Sequence, residues 1–270
     1  YLPDQYEIFF GFLLIFTFGL LHGANDLLII HKFTAANKKV WFGKLTGYVA
    51  SVLGVGIFFY LFPTIGLIGF LIYSAYHFGE QQWQNLEKSS LFKLFEFTYG
   101  LFILMLLFIF HIKEVQVVIQ NITSVVIPEN YFIIGLGINI VLLVTLGIYF
   151  YRKLIDFKNR ILLEAFYLLV FTVIFRVSSL IWGFAIYFII WHSIPSIINQ
   201  INYLNGEINW KNFGKYIKSA FVYWIISLIG IAILYFLFKD IKIFNALFFS
   251  FLAAITFPHV LVIFILFKKK

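Results

Sequence analysis

Cysteine is absent from all 270 residues. That excludes disulfides, thiolate metal sites and cysteine nucleophiles. Charge is nearly as scarce, with Asp, Glu, Lys and Arg together making up 12% of the chain. Against this, 62% of the residues are hydrophobic and the mean hydropathy is +0.96. No soluble domain of this size could hide so much apolar surface, so the reading is a polytopic, all-α integral membrane bundle. Every lysine lies in a loop or at the end of an apolar run, which excludes a pump built on a buried Schiff-base lysine. There is no HExxH metalloprotease motif, no HxxxH and HxxHH set of the membrane desaturase kind, and no GxSxG elbow. No internal repeat and no Ser- or Gly-rich linker interrupts the chain, so residues 1–270 read as a single transmembrane domain. No basic segment and small-residue cleavage site precede the first apolar run, so no cleavable leader is expected.

What is present is a series of apolar runs, at roughly 6–30, 45–62, 65–83, 92–112, 131–151, 161–175, 178–201, 219–238 and 243–267. Each is near the ~20 residues a helix needs to cross a bilayer. The expectation is about nine spans, or eight if the short run 161–175 does not cross. The net charge of +8 would suggest nucleic acid in a soluble protein. Here the basic residues sit between apolar runs, so they report topology and no nucleic-acid partner is expected. One alternating set of connections carries 16 Lys and Arg, among them Lys38, Lys39, Arg152, Lys153 and the Lys268–Lys270 tail. The other set carries only Lys113, Arg176, Lys239 and Lys242. The rich side is cytoplasmic, so the N-terminus is expected outside and the C-terminus inside. The 37 Phe residues read first as lipid-facing filler. The alternative is an aromatic-lined tunnel for a long apolar ligand.

The stretch LLHGANDLLIIHK sets polar groups inside an apolar run, where they are expensive and usually functional. His22, His77, His192 and His259 fall on four different runs that all cross from outside to inside, each at or beyond the middle. Four imidazoles at one depth suit a single iron, copper or zinc ion, because neutral imidazole ligates all three. His31 and His111 fall at opposite membrane edges. Asp26 is four residues after His22, and Glu80 is three after His77. Both are candidates for the carboxylate that takes the second ring N–H of a metal-bound histidine. Gly23 and Gly79 would permit close packing or close approach of substrate. Pro195 and Pro258 adjoin His192 and His259, where a helix break would line a cavity.

HGANDLLIIH, YHFGEQQW, WHSIPSIINQI and TFPHVLVI together resemble the Brp/Blh family, the bacterial and archaeal membrane β-carotene 15,15′-dioxygenases. The four blocks stand in family order over nearly the whole chain. The resemblance implies a multi-pass enzyme of the inner (plasma) membrane. It would cleave the central double bond of β-carotene with O2 to give two retinals. It further implies histidine-bound Fe(II), and a functional link to a microbial rhodopsin that receives the retinal. By position, His22, His77 and His192 match family ligands. Where some relatives carry a second histidine four residues after the one matching His192, this chain has Ser196. His259 is taken as the fourth ligand, with His31 in reserve, and Ser196 joins Asp26 and Glu80 around the ligands. Tyr73, Tyr76, Phe78, Trp83, Tyr187 and Trp191 lie near the proposed ligands in sequence and are the expected tunnel lining. Two readings from other classes remain. One is a transporter or channel with a histidine relay or metal site. The other is a non-catalytic carotenoid-binding partner of a rhodopsin.

Overall fold

The computed structural model describes residues 3–34, 38–84, 86–87, 89–237 and 241–268, and all of the secondary structure among them is helical. The first apolar run is not one helix. α1 (Asp4–Leu14) passes into a π-helical stretch at Ile15–Gly19, the chain turns through residues 22–25, and α2 (Asp26–Thr34) begins afresh. α3 (Lys38–Leu61) and α4 (Pro63–Trp83) follow, with Pro63 at the first position of α4. Its fixed φ and missing N–H are tolerated there. α5 (Ser90–Phe110) starts at Ser89, whose hydroxyl accepts from Phe92 N at 3.2 Å. The short α6 (Ile112–Thr123) ends at Ser124, which adopts φ 59. α7 (Glu129–Lys153) and α8 (Ile155–Val177) come next. α9 (Leu180–Ile186) continues through a second π-helical stretch, Tyr187–Ser193, into α10 (Ile194–Asn205), which stops at Gly206 with φ +89. α11 (Trp210–Leu237) and α12 (Ile241–Lys268) complete the chain.

Five of these segments are long and apolar enough to cross a membrane: Lys38–Leu61, Ser90–Phe110, Glu129–Lys153, Leu180–Asn205 and Trp210–Ile233. They coincide with five of the nine expected spans. The other four runs are helical but do not meet that standard among the described residues. The first is broken at residues 22–25. α4 carries Ser74, His77, Glu80 and Gln81, and α8 carries Asp156, Lys158, Arg160 and Glu164. In α12 the described stretch Phe249–Ile263 is apolar but shorter than a full crossing. Among the loop charges, Lys88, Lys239, Lys269 and Lys270 lie outside the described residues.

The chain forms two compact units, each discontinuous in sequence. The first comprises Tyr1–Phe10 and Ile68–Tyr187. Its core is aromatic: Phe92, Phe95, Phe150 and Phe157 are buried around Trp83 and Tyr99, and Trp83 stacks on Phe157 at 4.8 Å. Much of the Phe content is thus packed core, while Phe166 and others remain exposed. α4 and α5 approach backbone to backbone. A Cβ on Gly79 would run into the Glu96 carbonyl, and one on Gly100 into the Ala75 carbonyl. A buried charge, Glu164, joins α4, α5 and α8. It accepts from Gln82 Nε2 and from Tyr99 OH, each at 2.8 Å, and pairs with Arg160 at 3.4 Å. Partners of this kind offset the cost of taking a carboxylate out of water.

The second unit comprises Gly11–Leu67 and Phe188–Lys270. In it α3 packs along α12, α2 lies against both, and α10 packs on α11. Leu21, Ile197, Ile201, Tyr216 and Ala220 form one apolar cluster; Ile29, Ile30, Val262 and Ile263 form another. The exposed faces of α3 and α7 are rich in Leu, Ile and Val, such as Leu53, Ile57, Ile138 and Val141. Apolar surface on that scale is the face a membrane helix turns to lipid.

Candidate metal centre

Three of the four candidate ligands come together in the second unit. His22 stands in the turn after α1, His192 in the π-helical stretch before α10, and His259 in α12 beside Pro258. The His22 ring lies 5.1 Å from that of His192 and 4.7 Å from that of His259, nearly perpendicular to both. All three are buried. Two of them owe their tautomer to what holds them. His22 Nδ1 is bonded to the Gly19 carbonyl, and a carbonyl only accepts, so Nδ1 carries the proton. His259 Nδ1 donates to Asp26, at 2.8 Å to Oδ1 and 3.1 Å to Oδ2. In both rings the lone pair then falls on Nε2.

The break at residues 22–25 makes this possible. An unbroken helix would consume the His22 carbonyl internally. Here a side chain from elsewhere takes it, while the Leu21 carbonyl accepts from Ala24 N at 3.2 Å. Gln200 Nε2 donates to the His22 carbonyl at 2.7 Å and to Ser196 Oγ at 3.1 Å, and Tyr216 OH donates to Gln200 Oε1 at 2.9 Å. Asn25 Nδ2 donates to the Tyr216 carbonyl at 3.0 Å. Irregular backbone inside an apolar protein is stable only where such partners exist. Ser196 therefore belongs to the lock that holds the turn. Gly23 lies against the His259 ring, with room for an ordinary contact. Phe188 closes one side of the cluster. It stacks on His192 at 5.2 Å and 19°, and stands edge-on to His22 at 5.5 Å.

The helix that would set Asp26 one turn from His22 is interrupted between them, and Asp26 makes no hydrogen bond to His22. It opens α2 and serves His259, from which it is separated by 233 positions. Tyr48 OH donates to its other side, Oδ2, at 2.9 Å. Neither Tyr48 nor Gln200 emerged from the sequence. Gln200 is a polar residue one turn after Ser196 in an apolar segment, and that was a usable signal. A tyrosine in α3 was not.

His77 and Glu80 lie on α4 in the first unit, both buried. Tyr76 OH donates to Glu80 Oε1 at 3.4 Å, while Glu80 Oε2 is buried with no hydrogen-bond partner among the described residues. Of the expected tunnel residues, Trp83 is fully buried in the aromatic core beneath Arg160. Phe78 meets Tyr187 edge-on at 5.3 Å, and Tyr187 meets Phe171 at 5.2 Å. Tyr73 and Tyr76 are half-buried in the first unit, and Trp191 is half-buried in the second. His31 is exposed and rests edge-on against Trp41 at 5.8 Å. His111 is buried in the first unit, and its Nε2 lies 2.9 Å from the Phe175 carbonyl.

Among the described residues, no three His, Cys, Asp or Glu side chains already stand as a group that could hold a metal ion. The cluster is a set of donors drawn together, not a closed shell. Its chemistry nonetheless fits a soft-to-borderline divalent metal. The donors are neutral imidazoles, and an outer carboxylate or carbonyl fixes the Nδ1 protons of His22 and His259. A family model described as beta-carotene 15,15'-dioxygenase matches residues 13–267. The chain belongs to that family. The match covers His22, Asp26, His77, His192 and His259, together with every residue of the turn and its lock. No curated protein and no solved structure matches the chain.

Proposed function

We propose that this chain is an iron-dependent oxygenase of the inner membrane that cleaves the central 15,15′ double bond of β-carotene with O2, giving two retinals. The observation that carries the reading is the cluster of His22, His192 and His259, with two ring tautomers fixed from outside. Family membership supplies the substrate class. His22, His192 and His259 would hold Fe(II) through ring nitrogens, and His77 keeps its sequence assignment as a further donor. The iron supplies the capacity to bind and activate O2. The residues around it do the remaining work. The Gly19 carbonyl and Asp26 orient two of the rings, the Gln200–Tyr216 pair holds the turn that carries His22, and Phe188 shields His192 from water. Tyr73, Tyr76, Phe78, Trp83, Tyr187 and Trp191 are proposed to line the polyene's path, where aromatic faces suit a conjugated rod. The membrane arrangement proposed is nine crossings, with the N-terminus outside and the C-terminus cytoplasmic. A microbial rhodopsin is the proposed consumer of the product.

The test is made in a strain that accumulates β-carotene. Expression of the full chain should bleach the orange colour and yield retinal, and the purified protein should contain iron. Retained colour in cells whose membranes hold the folded, iron-loaded protein would overturn the cleavage reading.

A further inference from the structure

Asp26 has two oxygens and two partners. His259 Nδ1 faces both oxygens, Oδ1 at 2.8 Å and Oδ2 at 3.1 Å, and Tyr48 OH donates to Oδ2 at 2.9 Å. The three groups come from α12, α2 and α3, which pack on one another within the second unit. Asp26 is 1% exposed and His259 2%. With so little water to compete, the carboxylate's orientation is set by these two donors. Against His259 alone the two oxygens are nearly equivalent, and either can accept from Nδ1. The Tyr48 hydroxyl engages Oδ2, which leaves Oδ1 as the freer acceptor aimed at the imidazole.

We propose that Tyr48 is a positioning residue that acts through Asp26 to fix the tautomer and the orientation of the His259 ring. In taking His259 for a ligand, the inference rests on the proposed function; the coupling of Tyr48 to His259 does not. Tyr48 touches neither substrate nor metal in this scheme. Its hydroxyl holds Asp26, Asp26 holds His259 Nδ1–H, and the Nε2 lone pair is thereby presented in a fixed direction. Carboxylate–histidine pairs tune metal ligands in this way, and loss of such a partner typically lowers affinity about 10–100-fold.

The experiment uses the full-length protein carrying nitrogen-15 in its histidines, with the His259 signal assigned by its loss in His259→Gln. In metal-free protein, His259 should be protonated at Nδ1. Tyr48→Phe removes one oxygen atom and should shift or broaden that signal. The same substitution placed in Asp26→Asn should add nothing further. In a second arm, iron affinity is measured by competition with a chelator. Tyr48→Phe should weaken binding by about 10-fold, and the double variant should bind no more weakly than Asp26→Asn alone. Asp26→Glu keeps the charge but displaces it, and should move the His259 signal as Tyr48→Phe does; it stands in if Tyr48→Phe fails to fold.

An unchanged His259 signal in both variants overturns the proposal, as do additive losses of affinity. A lower melting temperature with signal and affinity both intact would make Tyr48 merely structural and also overturn it. If the wild-type chain binds no iron while the metal-free signal responds as expected, the metal reading falls and the positioning role stands. If iron binds but the signal ignores Tyr48, the reverse holds.

Discussion

His31 and His111 differ from the clustered histidines in what they touch. His31 is exposed against Trp41, and His111 is bonded to the Phe175 carbonyl. His31→Ala should therefore leave iron content and retinal yield nearly unchanged. His111→Ala should lose one buried hydrogen bond, about 1 kcal/mol of stability, and keep cleavage. His22→Ala should lose iron and activity together, and Asp26→Asn should retain iron at reduced affinity with activity down ~10–100-fold. Iron per protein and retinal yield, measured across the four variants, decide the matter. Equal loss in all four would sink the assignment. The candidate residues were legible in sequence because polar side chains in apolar runs are conspicuous. Their pairing was not. A spacing of four residues places Asp26 beside His22 only if the helix is continuous, and the bonds that interrupt it come from Gln200 and Tyr216, nearly two hundred positions away. His259, the true partner of Asp26, is farther still.

Helix elements followed the apolar runs closely, since each run met a helix, but two features escaped. α6 is amphipathic, with Val115, Ile119 and Ile122 buried at helical spacing. It is too polar to register as an apolar run, though its periodicity was there to find. The π-helical stretches before His22 and around His192 carry no composition signal, and such insertions are common at functional sites. Glycine gives a test at this scale. Gly100 lies where α5 meets the backbone of α4, and any Cβ there strikes the Ala75 carbonyl. Gly147 on α7 has nothing within 4 Å of the same position. Gly100→Ala should cost roughly 1–3 kcal/mol or more, as overpacking does. Gly147→Ala should be neutral or stabilise by about 0.5–1 kcal/mol, the usual gain from replacing glycine inside a helix. Unfolding of each variant in detergent measures this, and equal effects would mean that α4 and α5 are not in backbone contact.

At the scale of the whole molecule the question is which side of the membrane each loop occupies. α7 offers a self-contained answer. Its 25 residues, at about 1.5 Å each, reach ~37 Å, enough to cross a hydrocarbon core of about 30 Å with its ends in water. Its N-terminal side follows Lys113, a member of the connection set poor in Lys and Arg, and its C-terminal side carries Arg152 and Lys153 from the rich set. Positive residues are retained on the cytoplasmic side, so Val126 should be outside and Arg152 inside. Both positions are exposed. Because the chain has no cysteine, a single introduced thiol is the only one a reagent can find. In intact cells with the outer envelope opened, a membrane-impermeant maleimide should label Val126→Cys and spare Arg152→Cys. Once the inner membrane is permeabilised, it should label both. The opposite pattern would invert the topology. Labelling of both in intact cells would mean that α7 does not cross at all, and the count of nine spans would fall with it.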